Sequence, residues 1–282
     1  MLRSGQVQCP SPGAAEVLIR VRATSVNTPD WATVAGVPSI LRLGTGLRRP
    51  GHPVRGTDVA GVVEATGSQV TDLRPGDEVF GSLWGSTART HGGAFAEYTV
   101  APGSQVARKP AALSFTDAAA SAMTGLTALI AMRDAGQVGD GSHVLVNGAS
   151  GGVGTMSRSR RRWAPGSPGV CGPRTVELVR SIGAARVIDY TTEDFTRDRQ
   201  RYDVILDNVL NRPPSATARL LAPRGVLIPN SIGNTGGLLA GLPRVARAML
   251  TGLGSTTLDA AATAVAHMLG HHARGKVAIT VP

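Results

Sequence analysis

The sequence predicts an α/β protein in two parts, a small all-β barrel followed by a doubly wound parallel sheet with helices. Three observations carry this. The stretch from His143 to Thr155 joins a short apolar run, Val144-Leu145-Val146, to Gly148, Gly151, Gly152 and Gly154. Two later runs, Val187-Ile188-Asp189-Tyr190 and Val204-Ile205-Leu206-Asp207, are separated by turn and helix patterns, as repeated βα units require. Before all of these, short alternating segments punctuated by Pro and Gly give the pattern of a compact barrel.

The first part reads in order. Residues 16 to 26 alternate in part between apolar and polar and predict a strand, followed by a turn over Asn27-Thr28-Pro29-Asp30-Trp31. A Pro/Gly/Arg-rich loop from Gly44 to Arg55 leads into Gly56-Thr57-Asp58-Val59-Ala60-Gly61-Val62-Val63-Glu64. Arg74-Pro75-Gly76-Asp77-Glu78-Val79-Phe80 predicts a turn and another strand, and Gly92 to Tyr98 closes the barrel. Composition then shifts: Thr116 to Ala135 is rich in Ala, Leu and Met and reads as one or two helices behind a Ser114 cap. These shifts divide the chain into residues 1-113, 114-256 and 257-282, the last returning to the first part.

With 282 residues, 42% hydrophobic content and 36 glycines, the chain can build one large or two ordinary cores. Its two cysteines, Cys9 and Cys171, make neither a disulfide framework nor a zinc knuckle, which points to a reducing cytoplasm. No apolar run reads as long enough to span a membrane, and no charged-then-apolar leader opens the chain. The formal charge of +10 is concentrated: Arg158, Arg160, Arg161 and Arg162 fall in one run. A nucleic-acid or targeting patch is the rival reading of that run, but it has no recognition fold and no aromatic beyond Trp163.

The glycine stretch is a candidate dinucleotide site. Residues without side chains let the backbone approach a pyrophosphate, whose charge then rests on free N–H groups at a helix start. Glycine-rich strand ends also occur as plain turns. On the dinucleotide reading, Ser150, Gly151, Gly152, Val153 and Gly154 present backbone to the diphosphate.

These segments resemble the medium-chain dehydrogenase/reductase superfamily in its zinc-free quinone oxidoreductase-like branch, which includes enoyl reductase-like members. The matching stretches are Ser25-Val26-Asn27 to Trp31, Gly56 to Gly61, Arg74 to Val79, Gly93 to Tyr98, Thr124-Gly125-Leu126-Thr127-Ala128, the glycine loop and Ala273-Arg274-Gly275-Lys276-Val277. The resemblance implies a GroES-like catalytic domain, a Rossmann domain, and NADPH-dependent reduction of a quinone or an activated alkene or carbonyl. It also implies a small-molecule substrate and a homodimer paired through an edge of the nucleotide-binding sheet.

Residue roles follow. After Gly169-Val170-Cys171, an NAD-specific relative places a carboxylate for the ribose 2′-OH; here Arg174 offers a cation, which favours the 2′-phosphate of NADP(H) or else faces solvent at a helix start. Tyr190 resembles a position beside that phosphate, or packs at a strand end. Asn208, Val209, Ser231 and Gly233 end strands where ligands collect and should line the nicotinamide crevice. Asn27, Asp30 and Thr127 are the candidate catalytic residues on the substrate side; each is also a plausible turn or cap residue. Zinc-dependent relatives need a thiolate or imidazole set and a four-cysteine cluster. His52 is followed by Pro53 where those relatives place a carboxylate, so no metal is expected.

Three departures stand out. The helix after the glycine loop should carry an apolar stripe, but Met156 to Pro168 offers only Met156 and Trp163, with two prolines and a glycine to end it. A one-base shift in a GC-rich frame for Val-Gln-Ile-Ala-Lys-Ala-Leu-Gly-Ala-Gly-Val-Thr yields Ser157 to Pro168 residue for residue, so a compensated frameshift, real or from sequencing error, is the expected origin. Resequencing the locus, or a tryptic map showing the valine-to-threonine peptide, tests it; an in-frame arginine run in both the DNA and close homologues contradicts it. The opening strand of the family also reads as missing, as do the last Rossmann strands near Gly254-Ser255-Thr256, leaving the parallel sheet incomplete. The alternative function is therefore a non-catalytic remnant with weak or no cofactor binding. The segments 44 to 55 and 236 to 253 are expected to shape the substrate pocket.

Overall fold

The computed structural model describes residues 5–35, 54–84, 93–157, 164, 166–231 and 277–281. The chain forms two compact units, residues 1–123 with 276–282, and residues 124–275.

The first unit is an antiparallel sheet built on β1 (Glu16–Val26), with β2 (Asp58–Thr66), β3 (Glu78–Ser82), β4 (Tyr98–Pro102), β5 (Val106–Arg108) and β11 (Val277–Thr280). Its path runs β11-β1-β2-β3-β5, and β4 also pairs with β1. The predicted alternation in β1 holds: Val17, Ile19, Val21 and Ala23 are buried while Glu16, Leu18, Arg20 and Arg22 are only partly so. With period 2, one face of the strand enters the core, where Val59, Val63, Val79, Leu83 and Ala101 pack on it. The β1–β2 register shifts between Leu18 and Ile19 and again between Val21 and Ala23, irregularities that bend the pair toward barrel-like curvature. Gly61 is required where β2 pairs with β1 opposite Val21, since a Cβ there would lie 2.2 Å from the Arg20 carbonyl oxygen.

The Arg74–Asp77 turn is held by its own aspartate. Asp77 accepts the Arg74 N–H at 3.0 Å and the Arg108 guanidinium at 2.8 Å, and these hydrogen bonds hold its carboxyl below the usual value. A short helix, α1 (Thr28–Ala35), takes the place of the predicted turn after β1.

Helix α2 (Phe115–Leu129) starts as the sequence predicts. Ser114 caps it by accepting the Asp117 N–H at 3.0 Å and donating its hydroxyl to the Asp117 carboxylate at 2.7 Å. A π turn, Ile130–Ala135, continues it. Ala118 and Ala119 pack with Ala23 and Ala60 of the first unit, which places the division between the units inside α2 rather than at its start. Phe115–Ala135 is, by length and composition, long and apolar enough to cross a membrane, which corrects the sequence reading that no run is. Half of its most apolar 18-residue window is buried inside the protein, as in a core helix.

The second unit is a five-stranded parallel sheet of β6 (Val144–Asn147), β7 (Pro168–Cys171), β8 (Arg186–Asp189), β9 (Tyr202–Asp207) and β10 (Leu221–Pro229), in the order β10-β9-β6-β7-β8. Numbered from β6, this is the 3-2-1-4-5 order of the doubly wound dinucleotide fold. Strands β6 and β7 are buried along their whole length, which explains why they read as unbroken apolar runs or stubs rather than as alternation. Val144 and Val146 face the cluster with Met132, Val153 and Val179; Leu145 faces the other, with Ile188, Phe195 and Tyr202. Burying each such side chain contributes about 1.5–3 kcal/mol.

The helix after the loop, α3, is described over Gly152–Ser157, and Val153 is buried while Met156 packs against the same cluster. The arginine run lies outside the described residues, as do Trp163, Gly233 and the region of the predicted missing strands. Where the chain returns, Ser167 accepts the Val144 N–H at 3.2 Å and donates its hydroxyl to the Ala164 carbonyl at 2.9 Å, tying the start of β7 to β6.

Candidate functional site

The glycine loop closes tightly on itself. Gly148 has φ +76°, a left-handed conformation that side chains rarely adopt, and both its N–H and that of Ala149 donate to Val170 O, at 3.1 and 2.9 Å. A Cβ on Gly154 would lie 2.3 Å from Gly148 O and 2.7 Å from the Ala149 Cα, so this glycine lets α3 pack directly on the loop. Gly151 is different: among the described residues a Cβ there would meet only Gly148 O, at 3.5 Å. Packing among those residues does not demand glycine at this point and leaves space beside the backbone.

The first bond of the following turn runs from Thr155 N–H to Gly151 O at 2.9 Å. Helix geometry leaves the N–H groups of Gly152, Val153 and Gly154 without an intrahelical acceptor. Ser150, Gly151 and Gly152 are half-buried, whereas Val153 turns its side chain into the core and Gly154 is buried. The loop thus combines open space with amide donors, which is what an anionic diphosphate requires.

At the end of β7, Arg174 is exposed in a short 3-10 turn, Pro173–Thr175. Tyr190, 46% exposed, lies beside Gly172: its hydroxyl would be 3.0 Å from a Cβ on Gly172, and its N–H donates to Cys171 O at 3.2 Å. Arg174 follows that glycine by two residues. The nearby Asp189 carboxylate accepts the Thr191 N–H and hydroxyl at 2.9 and 2.8 Å. Burial pushes the Cys171 thiol up, against a hydrogen bond with Thr175.

The strand order reverses direction between β6 and β9, where open α/β sheets bind their ligands. Asn147 and Asp207 are register partners there, and the Asn147 amide donates to Asp207 Oδ1 at 2.8 Å. The same oxygen accepts the N–H groups of Val209, at 3.1 Å, and Leu210, at 2.8 Å. Asn208 donates its N–H to Asn147 O at 3.1 Å, and Asn230 donates its amide to Asn208 Oδ1 at 2.6 Å. Ser231 is buried beside them in sequence. Three buried polar atoms in this cluster, Asp207 Oδ2, Asn208 Nδ2 and Asn230 Oδ1, have no hydrogen-bond partner among the described residues. Asn147, Asp207 and Asn230 are not singled out by the sequence reading; the signal for them is a polar residue ending a run of fully buried apolar ones.

Burial raises the Asp207 carboxyl above the usual range, and the hydrogen bonds from Leu210, Val209 and Asn147 oppose it. The folded state then keeps a proton that the unfolded state releases, so this group's contribution is complete below the unfolded value of about 4 and declines as pH rises toward the folded value. Asp207→Asn has no proton to release. Its stability relative to the parent chain should rise with pH above about 4, by up to about 1.4 kcal/mol per pH unit. Urea melts of both proteins between pH 4 and 8 check this.

In the first unit, Asn27 and Asp30 belong to one buried network. Asp30 accepts the Asn27 N–H at 2.7 Å, the reach-back of a capping box at the start of α1. The Asn27 amide donates to Thr57 Oγ1 at 2.9 Å and to Asp58 Oδ2 at 2.8 Å, and Thr57 donates to Asp30 at 3.0 Å. Ser25 also donates to Asp58, and the Met123 N–H reaches the second Asp58 oxygen at 3.1 Å. Burial lowers the Arg55 guanidinium, and the charge of Asp30 opposes that shift. These bonds give Asn27 and Asp30 a structural task, with Thr57 and Asp58 as partners that the sequence reading places only inside a motif. Thr127 is buried on α2 in the second unit.

Residues 13–111 match the alcohol dehydrogenase GroES-like domain family, and residues 182–255 match the zinc-binding dehydrogenase family. A chloroplast envelope quinone oxidoreductase homolog of Arabidopsis thaliana is 32% identical over 238 residues, covering 79% of this chain and 68% of that protein. The chain belongs to the quinone oxidoreductase-like branch of the medium-chain dehydrogenase/reductase superfamily. A mitochondrial NAD(P)H oxidoreductase of Mus musculus is 35% identical over 214 residues, 69% of this chain and 52% of that protein, so this chain spans about half the length of the first curated relatives it matches. The fold agrees with the quinone oxidoreductase of Coxiella burnetii, at TM-score 0.72 and 23% identity, covering 98% of this chain and 93% of that one. Within this branch the described residues hold no group of three or more His, Cys, Asp or Glu placed to bind a metal, and His52 lies outside them.

Proposed function

We propose that this quinone oxidoreductase-like chain binds NADPH on the β6–α3 loop and reduces a quinone or an activated alkene or carbonyl without zinc. The observation that carries the reading is the open backbone at Gly151, set before amides that helix geometry leaves unpaired. Asn208 Nδ2 at the switch point, without a partner among the described residues, is a second feature that fits a bound polar ring system.

Ser150 to Gly154 would hold the diphosphate through backbone N–H groups. Arg174 would pair with the 2′-phosphate, with Tyr190 beside it, while Asn208, Val209 and Ser231 line the crevice for the nicotinamide. When bound, the dihydronicotinamide supplies a hydride, and the chain's task is to fix its distance and face relative to the acceptor carbon. Catalysis in this proposal rests on positioning, with the product proton taken from water. A homodimer formed through an edge of the parallel sheet belongs to the same proposal. The free thiols, Cys9 exposed and Cys171 buried, suit a reducing compartment such as the cytoplasm.

Arg174→Ala separates NADPH from NADH. A charge-assisted pair with phosphate contributes about 1.5–3 kcal/mol, so the Kd for NADPH should rise about tenfold or more while that for NADH stays within about twofold. Fluorescence titration with both coenzymes checks this, and an equal loss for both contradicts it.

A further inference from the structure

We infer that Asp207 is a positioning residue that locks the turn after β9 against the glycine loop after β6, so that the shape of the loop depends on a side chain on another strand. The inference rests on the cofactor reading above only for its functional consequence. The geometry is independent of it.

One carboxylate oxygen, Asp207 Oδ1, gathers three donors from both sides of the switch point: the Asn147 amide and the N–H groups of Val209 and Leu210. Asn147 directly precedes Gly148, so the first bond fixes the residue from which the loop departs. The other two bend the chain after β9 back on itself. Leu210 is held at φ +53°, a region that non-glycine residues rarely occupy, and a turn of this kind persists only when its surroundings determine it. The Asp207 bond and the burial of the Leu210 side chain do so.

The turn in its turn sets the loop. Val209 Cγ2 would lie 2.9 Å, and Asn208 Cβ 3.2 Å, from a Cβ on Gly148. Val209 and Asn208 therefore stand against the backbone of the one loop residue whose left-handed conformation starts the glycine turn. Gly148 N–H and Ala149 N–H both end on Val170 O, so any shift at Gly148 is felt in those two bonds. Asp207 acts through Asn147 and Val209 without needing to touch a ligand.

Amide hydrogen exchange on the full chain without coenzyme reads this directly. Asp207→Ala should speed exchange at Gly148 and Ala149 about tenfold or more while Val144 to Val146 stay within about threefold. Asp207→Asn, which keeps an acceptor oxygen of the same reach, should leave both sets within about threefold. Exchange at Gly148 and Ala149 that is unchanged in a folded Asp207→Ala protein, or that rises equally with Val144 to Val146, overturns the inference. If Asp207→Ala does not fold, Val209→Ala carries the test, since it leaves the carboxyl and its bonds in place. It should deprotect Gly148 and Ala149 about tenfold, and protection within about threefold overturns the inference. In folded Asp207→Ala protein the Kd for NADPH should also rise about tenfold, with Asp207→Asn within about threefold. A parent chain that binds no NADPH sinks the cofactor reading and leaves the exchange result standing.

Discussion

Gly154→Val should abolish most of the rise in melting temperature that NADPH gives the parent chain. The added Cβ would sit 2.3 Å from Gly148 O and 2.7 Å from the Ala149 Cα, and both contacts are backbone, so no side chain can swing away. Relief requires α3 or the loop to move by about an ångström, and displacements of that size cost about a hundredfold where geometry sets an interaction. The stability of the free protein should fall less, by about 1–3 kcal/mol, the usual penalty of overpacking. Scanning fluorimetry with and without NADPH separates the two effects. A Gly154→Val protein with the parent's NADPH-induced shift contradicts the role given to the loop.

Asp58→Ala should be the most damaging single change in the first unit, at about 3–5 kcal/mol. The carboxylate is fully buried and accepts from Ser25, the Asn27 amide and the Met123 N–H. Removing it strands buried donors, each costing about 1–3 kcal/mol, while the Ser25 hydroxyl can rotate and the Asn27 amide keeps its bond to Thr57. Loss on this scale is a large fraction of the about 5–15 kcal/mol by which an ordinary domain is stable. Urea unfolding at neutral pH measures it, and a loss below about 1 kcal/mol contradicts the network as drawn.

The elements legible in the sequence are those whose cause is local. Alternation marks β1, Ser114 and Asp117 announce the start of α2, and the run from Val144 to Gly154 shows a buried strand giving way to a turn that only glycine can make. The polar clusters are not legible in this way. Asn27 reads equally as a cap and as a substrate contact, and its bonds to Thr57 and Asp58 span a sequence separation that no local pattern reports. Asp207 is hidden for the same reason: at the end of Val204-Ile205-Leu206 it looks like the close of a strand, and its function as a clamp depends on Asn147 from the neighbouring strand. Helix α1 escapes the reading because Thr28-Pro29-Asp30 has turn composition; Asp30 reaching back to the Asn27 N–H converts that turn into a helix start.

The most direct test is a crystal structure of the chain with NADPH bound. The diphosphate oxygens should lie within hydrogen-bonding distance of the backbone N–H groups between Ser150 and Gly154, with the 2′-phosphate beside Arg174. Coenzyme density away from the carboxyl ends of β6 and β9, or none at saturating NADPH, would contradict the account and leave a non-catalytic remnant in its place.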